Sequence, residues 1–517
     1  MTSITCYDGV GCIGGNKILL EDGGTRLWLD FGLDFGRMGR YYEEYLQPKG
    51  CLGLYEPIQM GLLPPILDIY RTDLVCSLAD PWSGIEGRKL GDVAGVLLSH
   101  AHIDHIGALS YLRDDIPVYS SAVTLAMAKA SQDTGIGGAG SHYCYITPYE
   151  PTETGVLKSV HQARGASKAR PFVLVDETPS ADLAEFWAGT PSSLSSRGRS
   201  HEAAPIATSS VCGGLNVRRW PVDHSVYGAC AWAIETGSGW IVYTGDIRCH
   251  GGNAGLSRKF AEEAAKLKPR ALIIEGTRID SESTCTEQQV RDRAFDEIKN
   301  AKGLVVADFG PRNVERLASF LEIARETGRK LLLLPKDVYL LEKMALAAGD
   351  GLIPSPDDPA ILVYSKYEAT DRNWKRMLRG EYDSRMVTAR QVAESQDKVI
   401  ACFSFFDVNE LAYIRPVPGS MWIYSSCEPF NEEMGIDFRR LKEWIDLFGM
   451  AFPAGSPDEK SRFHVSGHAC RQHLLEVIDT IDPQVVIPVH TERPDKYAEA
   501  LSGRRVIIPE RGVPITL

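Results

Sequence analysis

His100-Ala101-His102-Ile103-Asp104-His105 is the stretch of sequence that decides the fold. It follows the apolar run Gly95–Ser99, which predicts a short buried strand, and it precedes a helical pattern over Ile106–Leu112. A short loop at the end of a strand is rigid enough to aim several side chains at one point. The chain has only 12 histidines in 517 residues, so this cluster indicates a metal site rather than a surface loop that happens to carry imidazoles.

The run offers imidazole and carboxylate ligands, which suit Zn²⁺ and similar divalent ions. Alternate residues His100 and His102 can face the same way, while Asp104 and His105 turn toward a neighbouring position. Two metal ions need more donors than these four. Other predicted strand ends supply candidates, namely His224 in Asp223-His224-Ser225, Asp246 in Thr244-Gly245-Asp246, and His490 in Pro488-Val489-His490. A lone histidine at a strand end is usually structural, but the incomplete first motif favours ligation here.

Composition bounds the class of protein. A chain of 517 residues with 44% hydrophobic and 24% charged residues predicts a globular protein of two or more domains. The formal net charge of −12 argues against a protein that coats duplex DNA non-specifically, although a local basic groove remains compatible with it. No apolar run is long enough to span a membrane, and the first residues show no secretory signal. The 12 cysteines are scattered without a Cys-x-x-Cys pair, which favours reduced thiols in the cytoplasm.

The predicted secondary structure changes along the chain. The first 100 residues are predicted to be rich in strands, with an elaborated loop region over 33–90, and residues 130–210 are interpreted as a long, partly flexible insertion. Thr286 and Gln289 have the spacing of a capping box, which predicts the start of a helix at this point. From Thr286 the pattern alternates between helix and strand, which predicts a parallel α/β domain. The predicted elements after residue 285 are helices Thr286–Lys302, Arg312–Thr327, Lys336–Ala348 and Cys470–Ile481, and strands Gly303–Phe309, Lys330–Leu334, Lys398–Ser404, Met421–Ser425, Phe463–Ser466, Gln484–His490 and Val506–Pro509.

With these motifs together, the sequence resembles the metallo-β-lactamase superfamily. Asp30 in Leu27-Trp-Leu-Asp30 matches its first motif, the His100–His105 run its second, His224 its third and Asp246 its fourth. The resemblance implies that His100, His102 and His224 bind one metal ion. It implies that Asp104, His105 and His490 bind a second, that Asp246 bridges both, and that Asp30 orients a ligand.

Within that superfamily the chain resembles the β-CASP nucleases of the ribonuclease J type. Glu275, His468 in His464-Val-Ser-Gly-His468, and His490 match three further motifs, and Asp308-Phe-Gly-Pro-Arg312-Asn313 is also similar. The implied fold is an αββα sandwich with an inserted parallel α/β β-CASP domain. The implied boundaries are 1–276 for the first part of the core, 277–455 for the inserted domain and 456–517 for the rest of the core.

The resemblance implies a two-metal ribonuclease that cuts single-stranded RNA from 5′-monophosphate ends, with endonuclease action as a further activity. Its cofactors would be two Zn²⁺ ions, with Mn²⁺ as the alternative. Asp104, Asp246, Glu275 and His468 would be catalytic, with His468 as the general acid held by Glu275. The phosphate and RNA contacts implied in the same way are His464, Ser466, Gly467, Arg312 and Asn313.

Two alternatives use the same metal core. A small-molecule hydrolase of the lactonase or thioesterase type would not need the inserted domain, and a β-CASP nuclease that prefers DNA usually lacks the histidine matched by His490. The sequence departs from the ribonuclease J pattern at His490-Thr491-Glu492, where His-Gly-Glu is common, and at Ser425-Ser-Cys-Glu-Pro429. Substrate choice and the oligomeric state, with a homo-oligomer among the options, therefore stay open.

Two weaker patterns have ordinary explanations. Lys366-Tyr367 and Arg372–Arg379 interleave cations with rings as an RNA groove would, yet a helix with a solvated basic face fits equally well, and Arg197-Gly-Arg199 is weaker still. Gly9-Val-Gly-Cys-Ile-Gly14 fits a dinucleotide-binding pattern, but a strand rather than a helix is predicted after it. We expect these glycines to let a hairpin lie close to the metal site.

Overall fold

A computed structural model describes residues 1–517 except 136, 162–164, 196–197, 283–284, 311, 350, 428, 430 and 454–461. The strands of the described residues are β1 (Thr2–Asp8), β2 (Lys17–Asp22), β3 (Thr25–Phe31), β4 (Gly95–Leu97), β5 (Val118–Ser120), β6 (Tyr145–Ile146), β7 (Tyr149–Pro151), β8 (Leu157–Ser159), β9 (Ser167–Ala169), β10 (Phe172–Leu174), β11 (His201–Glu202), β12 (Ala207–Thr208), β13 (Val211–Cys212), β14 (Leu215–Pro221), β15 (Cys230–Thr236), β16 (Gly239–Tyr243), β17 (Ala271–Ile274), β18 (Val305–Asp308), β19 (Lys330–Leu333), β20 (Ile361–Ser365), β21 (Met386–Thr388), β22 (Val399–Ala401), β23 (Met421–Tyr424), β24 (Val486–Pro488) and β25 (Pro514–Thr516).

The α-helices of the same residues are α1 (Phe35–Met38), α2 (Tyr55–Gln59), α3 (Ile103–Ile106), α4 (Ala122–Thr134), α5 (Ala181–Ala188), α6 (Ala254–Ala265), α7 (Glu287–Ile298), α8 (Val314–Glu326), α9 (Pro335–Ala345), α10 (Asn373–Tyr382), α11 (Ala389–Ala393), α12 (Leu411–Ile414), α13 (Glu432–Leu447), α14 (Arg471–Ile481) and α15 (Asp495–Ala500). None of these helices is long and apolar enough to cross a membrane.

Two mixed sheets face each other and form a sandwich. The first has the order β12-β10-β5-β4-β3-β2-β1-β25, and the second has the order β13-β14-β15-β16-β17-β24. Buried side chains from both, such as Leu29 and Leu97 on one side and Trp232 and Ile273 on the other, fill the space between them. Helices α6 and α14 cover the outer face of the second sheet. The predicted αββα sandwich is confirmed.

A third sheet lies in sequence between β17 and β24 of the sandwich and is entirely parallel, in the order β21-β20-β19-β22-β18-β23. Its strands and helices agree with the helix–strand alternation predicted after Thr286. We call residues 286–451 the inserted unit. The helix α7 begins with the predicted capping box of Thr286 and Gln289. The proposed domain boundary at 276/277 stays a prediction, and the boundary at 455/456 lies outside the described residues.

Several predicted elements are wrong. Helix α3 ends at Ile106, and a 3₁₀ turn over Leu109–Tyr111 replaces the helix predicted for Ile106–Leu112. The strand predicted at Phe463–Ser466 is a loop, and at Val506–Pro509 only one bridge, from Val506 to Val486, joins the sheet.

The two regions predicted to be irregular contribute to the core. Residues 33–90 carry buried apolar side chains, among them Leu54, Ile58 and Ile66, that belong to the largest hydrophobic cluster. In the 130–210 region, β10 and β12 extend the first sheet in parallel.

Candidate metal centre

Five strand ends converge on one edge of the sandwich. The His100–His105 run follows β4, and Asp223 and His224 follow β14. In the second sheet β16, β17 and β24 are parallel neighbours, so the residues just beyond them, Asp246, Glu275 and His490, lie at the same edge. The candidate residues, far apart in sequence, therefore meet at one place.

The first group of donors consists of three imidazoles and one carboxylate. His102 Nδ1 lies 3.0 Å from His100 Nε2 and 3.2 Å from His224 Nε2. The Asp246 Oδ2 atom lies 3.7 Å from His100 Nε2 and 3.9 Å from His224 Nε2. A tetrahedral ion with metal–ligand distances of about 2.1 Å has ligand–ligand edges of about 3.4 Å. These separations fit such an ion.

The second group shares the same oxygen of Asp246. His105 Nε2 lies 3.1 Å from Asp246 Oδ2 and 3.7 Å from Asp104 Oδ2. His490 Nε2 lies 3.3 Å from Asp104 Oδ2 and 3.7 Å from Asp246 Oδ2. Among the described residues, His105 Nε2 and Asp246 Oδ1 are buried without a hydrogen-bond partner. Such orphaned atoms are costly unless a further partner binds them, so both groups fit divalent metal ions.

Burial keeps the first imidazoles neutral, which is the form that binds a metal. It lowers the pKa of His100 well below the usual range and that of His102 to about 4. A neutral imidazole costs less free energy to bury than an imidazolium, and it leaves a lone pair available.

The Asp30 carboxylate fixes the orientation of His105, one donor of the second group. Its Oδ2 accepts hydrogen bonds from Tyr243 (2.6 Å) and the Ser99 hydroxyl (2.7 Å) and lies 2.7 Å from His105 Nδ1. Its Oδ1 accepts from the Ser99 backbone N–H at 2.6 Å. With its Nδ1 bound to a carboxylate, His105 turns Nε2 toward the metal donors.

Two other candidate ligands have equivalent anchors. His224 Nδ1 lies 2.6 Å from the Gly467 carbonyl, and His490 Nδ1 lies 2.8 Å from the Thr277 hydroxyl. The close approach predicted for the N-terminal glycines is also confirmed. Gly14 has φ +81°, and a Cβ there would lie 2.8 Å from the Asp104 carboxylate.

His468 and Glu275 form a pair beside both groups. His468 Nδ1 lies 3.1 Å from Glu275 Oε2 and 3.9 Å from Asp246 Oδ2. Glu275 is fixed in turn, because it accepts from the backbone N–H groups of Ile247 (2.9 Å) and Thr277 (3.2 Å). Burial opposes the charged form of His468, yet Glu275 and Asp246 raise its pKa to about 9. The histidine therefore holds a proton that it can give to a neighbouring group.

Two family models match parts of the chain. One, described as the metallo-β-lactamase superfamily, covers residues 76–187, and the other, a Zn-dependent metallo-hydrolase RNA specificity domain, covers 459–509. The first contains the His100–His105 run, and the second contains His464, His468 and His490. These matches support a metallo-β-lactamase, ribonuclease J-like protein. This similarity implies divalent metal binding, which the two groups of donors can provide.

Curated proteins similar to this chain are named ribonuclease J. The protein from Helicobacter pylori strain 26695 is 21% identical over 95% of this chain and 56% of its own length, and that from Mycoplasma genitalium is 22% identical over 77% and 58%. The protein from Mycolicibacterium smegmatis is 24% identical over 96% of this chain and 75% of its own length. The chain thus spans little more than half the length of the first relatives. A crystal structure of a protein of unknown function from Enterococcus faecalis V583 shares the fold, with a TM-score of 0.67, 22% identity and full coverage of both chains.

Of the residues predicted to contact phosphate, some contact the candidate metal ligands or their loop and others contact the inserted unit. Arg312 donates to the Ala101 carbonyl at 2.9 Å, inside the His100–His105 run. The Ser466 hydroxyl accepts from the His468 backbone N–H at 3.2 Å, and Gly467 contacts His224. The Asn313 side chain is engaged as the cap of α8, and His464 Nδ1 lies 3.4 Å from the Ser425 carbonyl in the inserted unit.

The predicted basic groove receives less support. Helix α10 buries Trp374, and Lys375 and Arg379 pair with Glu368 and Asp371. Lys375 is buried in its ion pair, so neither of these two cations is unpaired. Arg197 lies outside the described residues.

Sequence reasoning missed the residues that hold the ligands and the loops around them. Ser99, Tyr243 and Thr277 contact the ligands directly or through Asp30. The sequence shows Ser99 and Tyr243 only as strand ends.

Sequence reasoning also missed a network of ion pairs. It is formed by Asp223, Arg248, Glu287, Glu315 and Arg316.

Proposed function

We propose that this protein is a metal-dependent ribonuclease that hydrolyses phosphodiester bonds of single-stranded RNA, acting 5′ to 3′ from 5′-monophosphate ends. The observation that carries the proposal is the His468–Glu275 pair beside two groups of metal donors that share Asp246. The ribonuclease J relatives and the RNA specificity domain support RNA as the substrate. We further propose two Zn²⁺ ions as the cofactors, with Mn²⁺ as the alternative, and a cytoplasmic location.

The residues divide the chemistry between them. His100, His102, His224 and Asp246 would hold one ion, and a second would be held by Asp104, His105, His490 and the same Asp246. Bound divalent ions would generate a hydroxide nucleophile near neutral pH and neutralise charge on the phosphoryl oxygens. The Arg312 guanidinium, fixed on the Ala101 carbonyl, supplies further positive charge at this edge.

His468 completes the reaction as the general acid. Its Nδ1 is engaged by Glu275, so the proton available to the substrate is on Nε2. The ribose 3′-oxygen leaves phosphorus as a poor leaving group and takes this proton as the P–O bond breaks. After the transfer Glu275 still accepts a hydrogen bond from Nδ1 and holds the neutral imidazole in place for the next proton.

The test uses the metal-loaded 517-residue chain and four substrates. These are 5′-phosphorylated, 5′-hydroxyl and circular single-stranded RNA of one sequence, and the matching 5′-phosphorylated DNA. We expect rapid release of mononucleotides from the 5′-phosphorylated RNA, slower attack on the 5′-hydroxyl RNA, and little cleavage of DNA. Cleaved circles would indicate endonuclease action. A protein that cuts DNA as fast as RNA, or that cuts neither, would overturn the proposal.

A further inference from the structure

A chain of buried ion pairs connects the metal centre with the inserted unit. Arg248 Nε donates to Asp223 at 3.1 Å, directly before the predicted ligand His224, and Arg248 Nη1 donates to Glu287 at 3.0 Å. Glu287 lies in the first turn of α7 and accepts from Arg316 Nε of α8 at 2.9 Å. We call Asp223, Arg248, Glu287 and Arg316 the charge relay.

Arg316, at the end of the charge relay, binds the loop that leads to His468. Arg316 Nη1 donates to the Phe463 carbonyl at 2.8 Å and to the Ser425 carbonyl at 3.0 Å. The Ser425 hydroxyl also donates to the Phe463 carbonyl, at 2.6 Å. Phe463 begins the segment Phe463–His468, the 463–468 loop, which ends on the proposed general acid. Its middle is held by His250, whose Nε2 lies 3.0 Å from the Ser466 carbonyl, and by the contact of His224 with Gly467.

Stability alone does not explain this arrangement. The relay side chains are between 0% and 5% exposed. Buried ion pairs are often no more stabilising than apolar side chains of similar volume, because desolvation offsets their attraction. What they provide is a fixed geometry, since an arginine fork must meet its acceptors at defined positions.

We propose that Glu287 and Arg316 are positioning residues that hold the 463–468 loop, and with it His468, at the correct place over the metal centre. This inference rests on the proposed nuclease function. The relay spans two elements of the sandwich and two helices of the inserted unit, so it sets the loop from both sides. A shift of about 1 Å in a reacting group lowers the rate by about 100-fold, which gives the expected scale of the effect.

Two substrates separate a misplaced acid from a damaged metal centre. Single-stranded RNA needs a proton on its leaving 3′-oxygen, whereas bis(p-nitrophenyl) phosphate releases a stable phenolate without one. Arg316→Lys keeps the charge opposite Glu287 but lacks the planar fork that meets Glu287 and both carbonyls together. We expect it to lower kcat on 5′-phosphorylated RNA by about 100-fold and to change hydrolysis of the small diester by less than about 3-fold. Metal content should match the wild type.

The control variant is Arg329→Lys in the inserted unit. Arg329 is also buried, and it donates to the carbonyls of Gly303 (3.0 Å) and Val399 (3.1 Å), but it is not part of the relay. We expect wild-type activity on both substrates. A milder variant, Ser425→Ala, guards against misfolding because it removes one contact to the loop and no charge. It should lower RNA turnover in the same selective way, by about 3- to 10-fold.

The outcomes distinguish the two proposals. If Arg316→Lys and Ser425→Ala cleave RNA as fast as the wild type, the positioning role is wrong and the nuclease function stands. Equal losses on RNA and on the small diester would also overturn the positioning role, because they would indicate damage to the metal centre itself. Failure of the wild type to cleave RNA would overturn the proposed function and this inference with it.

Discussion

Asp30 shows how single residues hold the metal centre. It has φ +56°, a left-handed conformation that residues other than glycine seldom adopt, and His490 has φ +52°. Such backbone persists only where the surroundings over-determine it. For Asp30 the surroundings are the contacts to His105, Ser99 and Tyr243, and Tyr243 accepts in turn from Asn16 at 2.8 Å. These contacts hold Asp30 in the left-handed conformation, in which its carboxylate fixes the orientation of His105.

At the residue scale, metal binding and acid catalysis should be separable. We expect His468→Ala to retain the metal content of the wild type and to lose RNA turnover by about 100- to 10,000-fold, because it removes only the proton donor. It should keep its hydrolysis of bis(p-nitrophenyl) phosphate, whose leaving group needs no proton. Asp104→Ala should lose metal and both activities, because Asp104 lies within the second group of donors.

Metal analysis of the purified variants and two turnover assays check this prediction. His468 Nδ1 lies 3.9 Å from Asp246 Oδ2, close enough for both to bind one ion. Loss of metal from His468→Ala would therefore make His468 a ligand rather than the acid. Full RNA turnover by His468→Ala would remove it from the mechanism.

The sequence predicted the donors but not their supports. Histidine is rare and chemically distinctive, so a cluster after a strand is visible in one short segment. The supports are common residues from distant strands, and Asn16, Tyr243 and Thr277 meet the ligands only after the two sheets have formed. No local pattern marks them.

At the scale of elements, the 463–468 loop shows why the strand prediction failed there. Its apolar residues Phe463 and Val465 are buried, as in a strand. The carbonyls of Phe463, Ser466 and Gly467, however, are bound by Arg316, His250 and His224 rather than by a neighbouring strand. Hydrogen bonds from side chains compete with a sheet ladder, and only the tertiary structure reveals them. The capping box of α7, which is entirely local, was predicted correctly.

The end of β18 should make stability depend on pH. Burial raises the pKa of Asp308 to about 7, although Trp422 and Ser426 donate hydrogen bonds to its carboxyl group. In the unfolded chain an aspartate ionises at about pH 3.9. Between about pH 4 and pH 7 the folded protein therefore holds a proton that the unfolded chain has lost. This contribution to stability is fully present below about pH 4 and is lost as the pH rises through about 7.

Asp308→Asn isolates that contribution, because an amide stays neutral at every pH. The difference in Tm between this variant and the wild type should shift in favour of the variant between about pH 5.5 and about pH 8, at constant metal concentration. Thermal unfolding followed by circular dichroism measures it. A difference that is the same at both pH values would contradict the raised pKa.

At the scale of the whole molecule, the sandwich and the inserted unit share one core. The largest hydrophobic cluster contains residues of the first sheet and α4 together with residues of α8 and α9. Local periodicity predicted the parallel sheet through the alternation of helices and strands, whereas the two-layer sandwich was implied by the resemblance to the metallo-β-lactamase superfamily. They could not show that residues 33–90 and 130–210 pack into the structure, because these segments bury their apolar side chains without a regular period.

Tyr339 lies at the junction, so it should govern how the two parts unfold. It is 5% exposed on α9, and its hydroxyl donates to Asp133 of α4 at 3.0 Å. Tyr339→Phe removes only this hydrogen bond and should cost about 1–2 kcal/mol of unfolding free energy. Tyr339→Ala also removes the ring and should cost about 3–5 kcal/mol.

Because the shared core couples the two parts, we expect one urea transition in the wild type and two in Tyr339→Ala, seen by tryptophan fluorescence and circular dichroism together. If Tyr339→Ala unfolds at the urea concentration of the wild type, in one step, the parts are not coupled through this contact.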